Sequence, residues 1–327
     1  MNLDQFKYEL PEELIAQMAV TPRSFSKLLV VKGDHLEHRR FYQIIDYFKK
    51  DDVLVLNRTR VLKNKLTGNK VSGAKAEIII MRPVDEFTAT ARIQCSKVRV
   101  GNEFVFRNIH AKVTDRDEDI FYVKFDRPVD SIIDHFLYPN PPYIKRKVGE
   151  EYQTVYASES GSLAAPTSGL HFTPNLLAEL KKKGVRFAYV TLHVGFGTFL
   201  PVRDQNIVNH KMESEYYEID SENAELVNNA KRLFVVGTTT LKALESAATE
   251  NGRVEAKKEF SELFIYPGYS FKLPVKGLVT NFHLPRSTLI LLVSAFYGWD
   301  RIRTAYEEAV KRKYRFFSLG DATFLYK

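Results

Sequence analysis

A run of closely spaced short strand patterns, with no helix pattern between them, limits the folds open to this chain more than any other feature. Between residues 62 and 126, β-rich segments of a few residues alternate with turn signals. The predicted strands include residues 76–81, 87–93, 104–106 and 120–125. Short strands in this arrangement are typical of a small antiparallel barrel or sandwich.

The sequence on both sides of this region has an α/β pattern. Apolar residues at helical spacing predict an amphipathic helix over 41–50, followed by a buried strand at 53–56. After the proline-rich residues 139–142, helices and strands alternate again. The predicted elements there are helices at 174–183, 288–297 and 300–313 and strands at 185–194 and 233–236. We therefore predict an α/β main domain with an inserted small antiparallel β-barrel domain. Residues 1–61 and 139–327 would form the discontinuous α/β catalytic domain, and residues 62–138 the insertion.

Charge and cysteine content restrict the class of protein. The 327 residues carry a formal net charge of +8, which favours a polyanionic partner because neutralising phosphates releases condensed counterions. Ordinary solubilising charge explains the same balance. The single cysteine excludes an intramolecular disulfide and fits a reducing cytosol. The chain start lacks signal-peptide features. The longest apolar run, 289–296, is far shorter than the roughly 20 residues of a transmembrane helix. We therefore expect a cytoplasmic protein that does not bind membranes.

The densest group of ligand-binding residue types lies in residues 161–173. Thr167, Ser168, Gly169 and His171 stand just before a predicted helix start. Small residues let a backbone approach a ligand closely, and the free N–H groups of a helix N-terminus favour a negative group. The alternative is a tight loop in which His171 only caps or packs.

A second segment, residues 191–199, ends a predicted strand, where open α/β sheets collect their ligands. It contains His193, Gly195, Gly197 and Thr198. The complete G-x-G-x-x-G pattern is absent, which counts against a Rossmann methyltransferase or dehydrogenase.

Further polar residues extend the predicted site. Thr238 lies in a hydroxyl-rich turn between a predicted strand and helix, which suits a carboxylate or phosphate but is equally explained by helix capping. His210 lies near the Glu215 carboxylate, and His283 precedes a predicted helix. No histidine pair has the spacing of a helical zinc site, so we expect no metal. Acid–base work suits the imidazoles better, since an unperturbed imidazole titrates near pH 6.5.

Basic residues gather at both ends of the predicted insertion. The basic residues are Arg58, Arg60, Lys63 and Lys65 at its start and Arg146 at its end, where the aromatic Tyr143 also lies. If the barrel is an insertion, its two ends are neighbours, and these residues merge into one basic surface that includes an aromatic side chain. Such a surface is typical of an RNA-binding track, and a solvated charged face is the alternative.

Taken in order, these segments resemble the S-adenosylmethionine:tRNA ribosyltransferase-isomerases of queuosine biosynthesis. The matching segments are residues 8–17, 152–157, 161–173, 193–202, 210–212, 267–269, 280–285, 314–318 and 320–322. The sequence departs from the family pattern in having Arg58, Ser24 and Glu213 where two acids and a histidine are usual. Losing two acids and gaining an arginine shifts that surface towards positive charge.

The resemblance implies an enzyme that transfers and isomerises the ribosyl group of S-adenosylmethionine. The acceptor is the 7-aminomethyl group of a 7-deazaguanine at the tRNA wobble position, and the products are epoxyqueuosine-tRNA, adenine and methionine. On this basis we expect His171 and His193 nearest the proton transfers, with His210, Glu215 and His283 as alternates. The expected cofactor-binding residues are Thr167, Ser168, Gly169, Gly195, Gly197, Thr198 and Thr238.

Two other functions remain open from the residues. An RNA methyltransferase would use the same S-adenosylmethionine but release S-adenosylhomocysteine. A non-catalytic RNA-binding protein would bind tRNA without changing any nucleoside. With no long heptad pattern or obvious pairing edge, we expect a monomer.

Overall fold

The computed structural model describes residues 1–141, 143–195, 202 and 204–327, and these divide into two compact units. An α/β unit comprises Met1–Val61, Pro141–Arg146 and Glu150–Lys327. A second unit comprises Leu62–Asn140 and Lys147–Gly149.

Strands, α-helices and 3-10 helices are all present in the described residues. The strands are β1 (Lys27–Lys32), β2 (His35–Arg40), β3 (Val53–Asn57), β4 (Thr59–Val61), β5 (Lys65–Lys70), β6 (Lys75–Pro83), β7 (Thr88–Gln94), β8 (Glu103–Phe106), β9 (Ile109–Asp117), β10 (Ile120–Phe125), β11 (Glu159–Ser162), β12 (Arg186–Leu192), β13 (Glu215–Ile219), β14 (Leu233–Val236), β15 (Lys257–Ser261), β16 (Val275–Asn281) and β17 (Ala322–Tyr326). The α-helices are α1 (Pro174–Lys182), α2 (Ser221–Asn228), α3 (Thr238–Ala247), α4 (Thr288–Tyr297) and α5 (Trp299–Lys311). The 3-10 helices are Leu3–Phe6, Glu12–Leu14, Arg23–Phe25, Phe41–Tyr47, Val129–His135, Glu150–Tyr152, Thr167–His171 and Ile207–Asn209.

The α/β unit is built on a mixed sheet. Within the described part of the chain, nine strands pair in the order β15-β13-β12-β3-β14-β16-β17-β1-β2. The central pairs β12–β3, β3–β14 and β14–β16 are parallel, whereas β16–β17 is antiparallel. The carboxyl ends of β12, β3, β14 and β16 therefore meet at one edge of the sheet, where ligands of open α/β folds bind.

Helices cover both faces of this sheet, as the continuous burial of β3 requires. Side chains alternate along β3, so that Val53 and Val55 belong to one apolar cluster and Leu54 and Leu56 to another. The first cluster contains residues of α2, α3, α4 and α5, and the second contains residues of α1.

The second unit is a closed antiparallel barrel. Its six strands pair in the order β10-β7-β6-β5-β8-β9, and β9 pairs with β10 to close it. Alternate side chains of β9, such as Ile109, Ala111 and Val113, are buried in the barrel. The predicted fold class, an α/β domain with a small antiparallel barrel, is confirmed.

One predicted element has a different geometry. The helix expected over 41–50 is the 3-10 helix Phe41–Tyr47, which buries Phe41 and Ile44. These two residues are three apart, a spacing that suits the three residues per turn of a 3-10 helix as well as it suits an α-helix. In the part of the chain that the structure describes, no helix is long and apolar enough to cross a bilayer.

Candidate functional site

Two neighbouring cavities lie in the described part of the α/β unit, beyond the carboxyl ends of the central strands. The first has a volume of about 430 Å³, open mouth included, and the second about 340 Å³. Both are lined by Thr238, Thr239 and Leu289. Thr238 and Thr239 begin α3, so the N-terminus of this helix lies between the two cavities.

The first cavity combines apolar walls with hydroxyl groups. Its apolar lining consists of Ala165, Pro166, Val194, Phe282, Leu289 and Phe317. Its hydroxyl groups come from Thr167, Ser168, Thr238, Thr239 and Ser318. Asn281 and His283 complete the polar lining. Flat apolar surfaces with a few directed polar groups are typical of sites that bind a small molecule.

The turn from β14 into α3 brings backbone N–H groups to the cavities. Gly237 has a φ angle of +91°, in the left-handed region that glycine adopts without strain. Among the described residues no side chain caps the start of α3, so its first N–H groups can face a ligand, and the helix dipole favours a negative one. At the end of β3, the Asn57 amide contacts the Thr239 hydroxyl at 3.4 Å.

His283 is connected to two hydroxyl groups in the first cavity. The Oγ1 atom of Thr280 lies 3.0 Å from Nε2 of His283 and 3.4 Å from the Oγ atom of Ser168. The hydroxyl of Tyr8 donates to the His283 carbonyl, and the His283 N–H donates to the Tyr306 hydroxyl. Hydrogen bonds therefore hold both backbone polar groups of His283. Burial lowers the pKa of His283 to about 3, which keeps the ring neutral at physiological pH.

His171 does not line either cavity. Its ring is completely buried, stacks on Phe41 at 4.8 Å between centroids, and contacts Ser26 Oγ at 2.7 Å and Asn281 Nδ2 at 3.4 Å. Burial, and next the positive charges of Arg23 and Arg315, hold its pKa well below the usual range. The expectation that His171 lies nearest the proton transfers therefore needs correction, since it reaches the cavity only through Asn281.

His193 lies beside the first cavity, next to the lining residue Val194. Its ring stacks on Tyr216 at 5.4 Å, and its Nδ1 atom lies 2.8 Å from Thr59 Oγ1. Gly161 packs against this ring so closely that a Cβ there would overlap it. Burial lowers the pKa of His193, while the Glu159 and Glu218 carboxylates act in the opposite direction.

A buried ion pair lines the second cavity. The Nζ atom of Lys242 lies 2.9 Å from Oε2 of Glu215, and the two side chains are only 6% and 3% exposed. The other Glu215 oxygen accepts a hydrogen bond of 2.8 Å from the Gly195 N–H. His210 packs edge-on against Phe264, another lining residue, and burial lowers its pKa.

Of the seven predicted cofactor-binding residues, Gly195 donates its N–H to Glu215 in the second cavity, and the other six fall into three groups. Thr167, Ser168 and Thr238 line the first cavity. Gly169 is buried behind it, where a Cβ would overlap the Tyr156 hydroxyl. Gly197 and Thr198 lie outside the described residues.

Sequence reasoning missed Asn281, Thr239, Lys242 and Ser318 as lining residues. Asn281 follows Thr280 in the segment that suggested His283, so its position was detectable from the sequence. Lys242 falls within α3, where a lysine is ordinarily solvated, and nothing in the sequence pairs it with Glu215.

The predicted RNA-binding residues of the α/β unit lie in ion pairs or on its surface. Arg58 pairs with Asp220 at 3.3 Å, Arg60 with Glu150 at 3.5 Å, and Arg146 with Glu151 at 3.2 Å. Tyr143 is 48% exposed, and its ring packs edge-on against Phe317 at 5.5 Å. An exposed aromatic ring therefore lies against a wall residue of the first cavity.

In the barrel unit, the two predicted lysines differ. Lys63 is exposed, with its ammonium 5.1 Å from the centre of the Tyr138 ring. The Lys65 side chain is 3% exposed, and its ammonium contacts Glu77 at 3.6 Å and Asn140 at 3.3 Å. Because it is buried, Lys65 cannot contact an RNA phosphate from this position, and its predicted role needs correction.

Similarity to known proteins extends over nearly the whole chain. A family model described as queuosine biosynthesis protein matches residues 3–325. A protein from Clostridioides difficile named S-adenosylmethionine:tRNA ribosyltransferase-isomerase is 46% identical, over 98% of this chain and 99% of the relative. A protein of the same name from Thermotoga petrophila is also 46% identical, with the same coverage.

A solved structure is similar in fold as well. It is described as S-adenosylmethionine tRNA ribosyltransferase from Thermotoga maritima, and its sequence is 37% identical to this chain. The match covers 98% of this chain and 99% of that one, with a TM-score of 0.56. Since the family model spans more than half of the chain and the relatives match at full length, the chain belongs to the queuosine biosynthesis protein family.

Proposed function

We propose that this protein transfers and isomerises the ribosyl group of S-adenosylmethionine to a 7-aminomethyl-7-deazaguanine at the tRNA wobble position. The products are epoxyqueuosine-tRNA, adenine and methionine. The observation that carries the proposal is the pair of cavities that share the N-terminus of α3. One lining suits the nucleoside half of S-adenosylmethionine, and the other suits its methionyl half. Family membership and the names of the relatives support the same reaction over methyl transfer.

The nucleoside half fits the first cavity and the methionyl half fits the second. The first cavity offers flat apolar surfaces for a base and hydroxyl groups for a ribose. The second has an apolar wall that includes Leu263, Phe264 and Leu292, suited to a thioether chain. Glu215 and Lys242 also line this cavity, and their ion pair provides one charge of each sign for the ammonium and carboxylate of a methionyl group.

His283 is the residue best placed to move protons in this arrangement. Of the described residues that line the first cavity, it is the one with a titratable side chain. The neutral ring accepts the proton from the ribose 5′ carbon, which the neighbouring sulfonium acidifies, while the electron pair of that C–H bond stays on carbon. The imidazolium formed then gives its proton to adenine as the C1′–N9 bond breaks and the electron pair of that bond goes to N9.

The acceptor tRNA must present its modified base at the mouth of the first cavity. Tyr143 provides an exposed ring for this purpose, because its other edge is fixed against Phe317. RNA-modifying proteins commonly hold an unstacked base on such a ring. Arg60 and Arg146, both exposed or partly exposed, would contact the phosphates on either side.

Replacing Tyr143 with alanine is expected to raise the KM for tRNA by about 5- to 100-fold, because a base-stacking contact contributes about 1–3 kcal/mol. The KM for S-adenosylmethionine should stay unchanged. Phe260→Ala provides the control, since that ring is 70% exposed and does not line either cavity. Steady-state kinetics with varied tRNA measure the effect, and equal KM values for the two variants would exclude the stacking role.

A product assay tests the reaction itself. The protein is incubated with S-adenosylmethionine and tRNA carrying the aminomethyl base, and both small-molecule products and tRNA nucleosides are measured by mass spectrometry. We expect free adenine and methionine in equal amounts, together with a heavier nucleoside. S-adenosylhomocysteine would indicate methyl transfer, and unchanged nucleosides with bound tRNA would indicate a binding protein.

A further inference from the structure

Among the described residues, two that line the first cavity each have a buried side-chain polar atom without a hydrogen-bond partner. These atoms are Oδ1 of Asn281 and Oγ of Ser318, and each residue is 2% exposed. A buried polar atom without a partner is costly, so native proteins keep few of them. The place of both residues in the lining of a cavity indicates that a bound molecule supplies the missing partners.

The Asn281 side chain has a fixed orientation. Its Nδ2 group donates to the Phe317 carbonyl at 3.1 Å and faces Nε2 of His171 at 3.4 Å. Rotating the amide by half a turn would set its carbonyl oxygen against the Phe317 carbonyl, which is unfavourable. The atom left for a ligand is therefore Oδ1, which only accepts hydrogen bonds.

His171 stabilises this orientation of the Asn281 amide through a hydrogen bond. Because Nδ2 of Asn281 is always a donor, the facing Nε2 atom of His171 accepts, and in the neutral ring the proton is then on Nδ1. Nδ1 in turn donates to Ser26 Oγ at 2.7 Å. The stacked Phe41 ring fixes the plane of the imidazole. His171 is thus a positioning residue for Asn281.

The wall consequently offers an acceptor from Asn281 and a hydroxyl from Ser318. An amino group next to a ring nitrogen complements this pair, since the amino group donates and the ring nitrogen accepts. Resting on the proposed function, we propose that Asn281 and Ser318 bind the amino edge of the adenine ring of S-adenosylmethionine. These residues then determine the choice of purine in the ribosyl donor.

The test compares S-adenosylmethionine with its purine analogue, in which hydrogen replaces the 6-amino group. With the unaltered protein, the analogue is expected to have a KM about 10-fold higher, as for the loss of one buried hydrogen bond. With Asn281→Ala, the KM for S-adenosylmethionine should rise about as much, and the analogue should show no further increase. Asn229→Ala, at an exposed position after α2, is the control and keeps the discrimination.

Three outcomes would overturn the inference. Equal KM values for the two donors with the unaltered protein would show that the amino group is not bound, and this holds even if Asn281→Ala fails to fold. If Asn281→Ala and the loss of the 6-amino group each raise the KM independently, Asn281 does not contact that amino group. A rise in the KM for tRNA alone would assign the contact to the tRNA base. If the unaltered protein releases no adenine at all, the proposed function fails, and the inference with it.

His171 gives a separate readout. His171→Ala should raise the KM for S-adenosylmethionine and reduce its discrimination from the analogue, while kcat at saturation stays close to the original value. His171→Gln, which can keep an acceptor towards Asn281, is expected to recover part of the discrimination. A large fall in kcat with unchanged KM would mean that His171 takes part in proton transfer and would overturn the positioning role.

Discussion

Replacing His283 with glutamine is expected to lower kcat by about 10²- to 10⁴-fold, the contribution of a positioned general acid–base group. The KM for S-adenosylmethionine should change little, because Thr280, Ser168 and the helix start remain in place. His35→Gln is the matched control, since that histidine is exposed on β2. Turnover of His283→Gln close to that of the control would exclude His283 from the chemistry.

The pH dependence of the unaltered enzyme gives an independent check. Since burial lowers the pKa of His283 to about 3, the ring is already neutral throughout the range from pH 5 to 8. We therefore expect kcat to lack the decline on the acid side near pH 6.5 that an unperturbed histidine base would cause. A decline there that disappears in His283→Gln would show that the ring titrates in the bound complex and would contradict the mechanism.

Replacing Lys242 with methionine is expected to lower the free energy of unfolding by about 3–5 kcal/mol, because it breaks a buried ion pair by removing one of the two charged groups. Lys242 and Glu215 are 6% and 3% exposed, so water does not compensate for the loss. Lys258→Met breaks an ion pair of similar length, 2.8 Å, with Glu218, but Lys258 is 69% exposed. That control should cost less than about 1 kcal/mol.

Chemical denaturation at neutral pH measures both variants. Adding Glu215→Gln to Lys242→Met should restore part of the lost stability, because the neutral amide no longer carries a buried charge. The hydrogen bond from the Gly195 N–H can still form to the amide oxygen, so the comparison isolates the charge. A loss from Lys242→Met as small as that from Lys258→Met would mean that the pair is solvated in solution.

The fold was predictable where a local sequence pattern is compatible with one type of secondary structure. Short strands separated by turns closed into a barrel, and the apolar run 53–56 became the buried β3. The 3-10 helix Phe41–Tyr47 was mistaken for an α-helix because short apolar spacing does not distinguish the two. The pairing of β1 with β17 was not predictable, since nothing local to either strand specifies a partner so far away in the sequence.

The site was predictable in its segments but not in its contacts. Glycine- and hydroxyl-rich turns indicated Thr167, Ser168 and Thr238, and all three line the first cavity, while their binding of the cofactor stays a prediction. The sequence could not show that Phe41 and Ser26 enclose His171, because they come from two segments that are each more than a hundred residues earlier. The same limit hid Lys242, which lies on α3 while its partner Glu215 lies on β13.

The parallel pairing of β1 with β17 has a consequence for synthesis on the ribosome. Within the described residues, the hairpin β1–β2 joins the rest of the sheet through β17, so this pairing cannot form until β17 has left the exit tunnel. The barrel, by contrast, is nearly continuous in sequence and can form while translation is still under way. Until then β1 pairs only with β2, and its other edge stays open to aggregation unless a chaperone shields it.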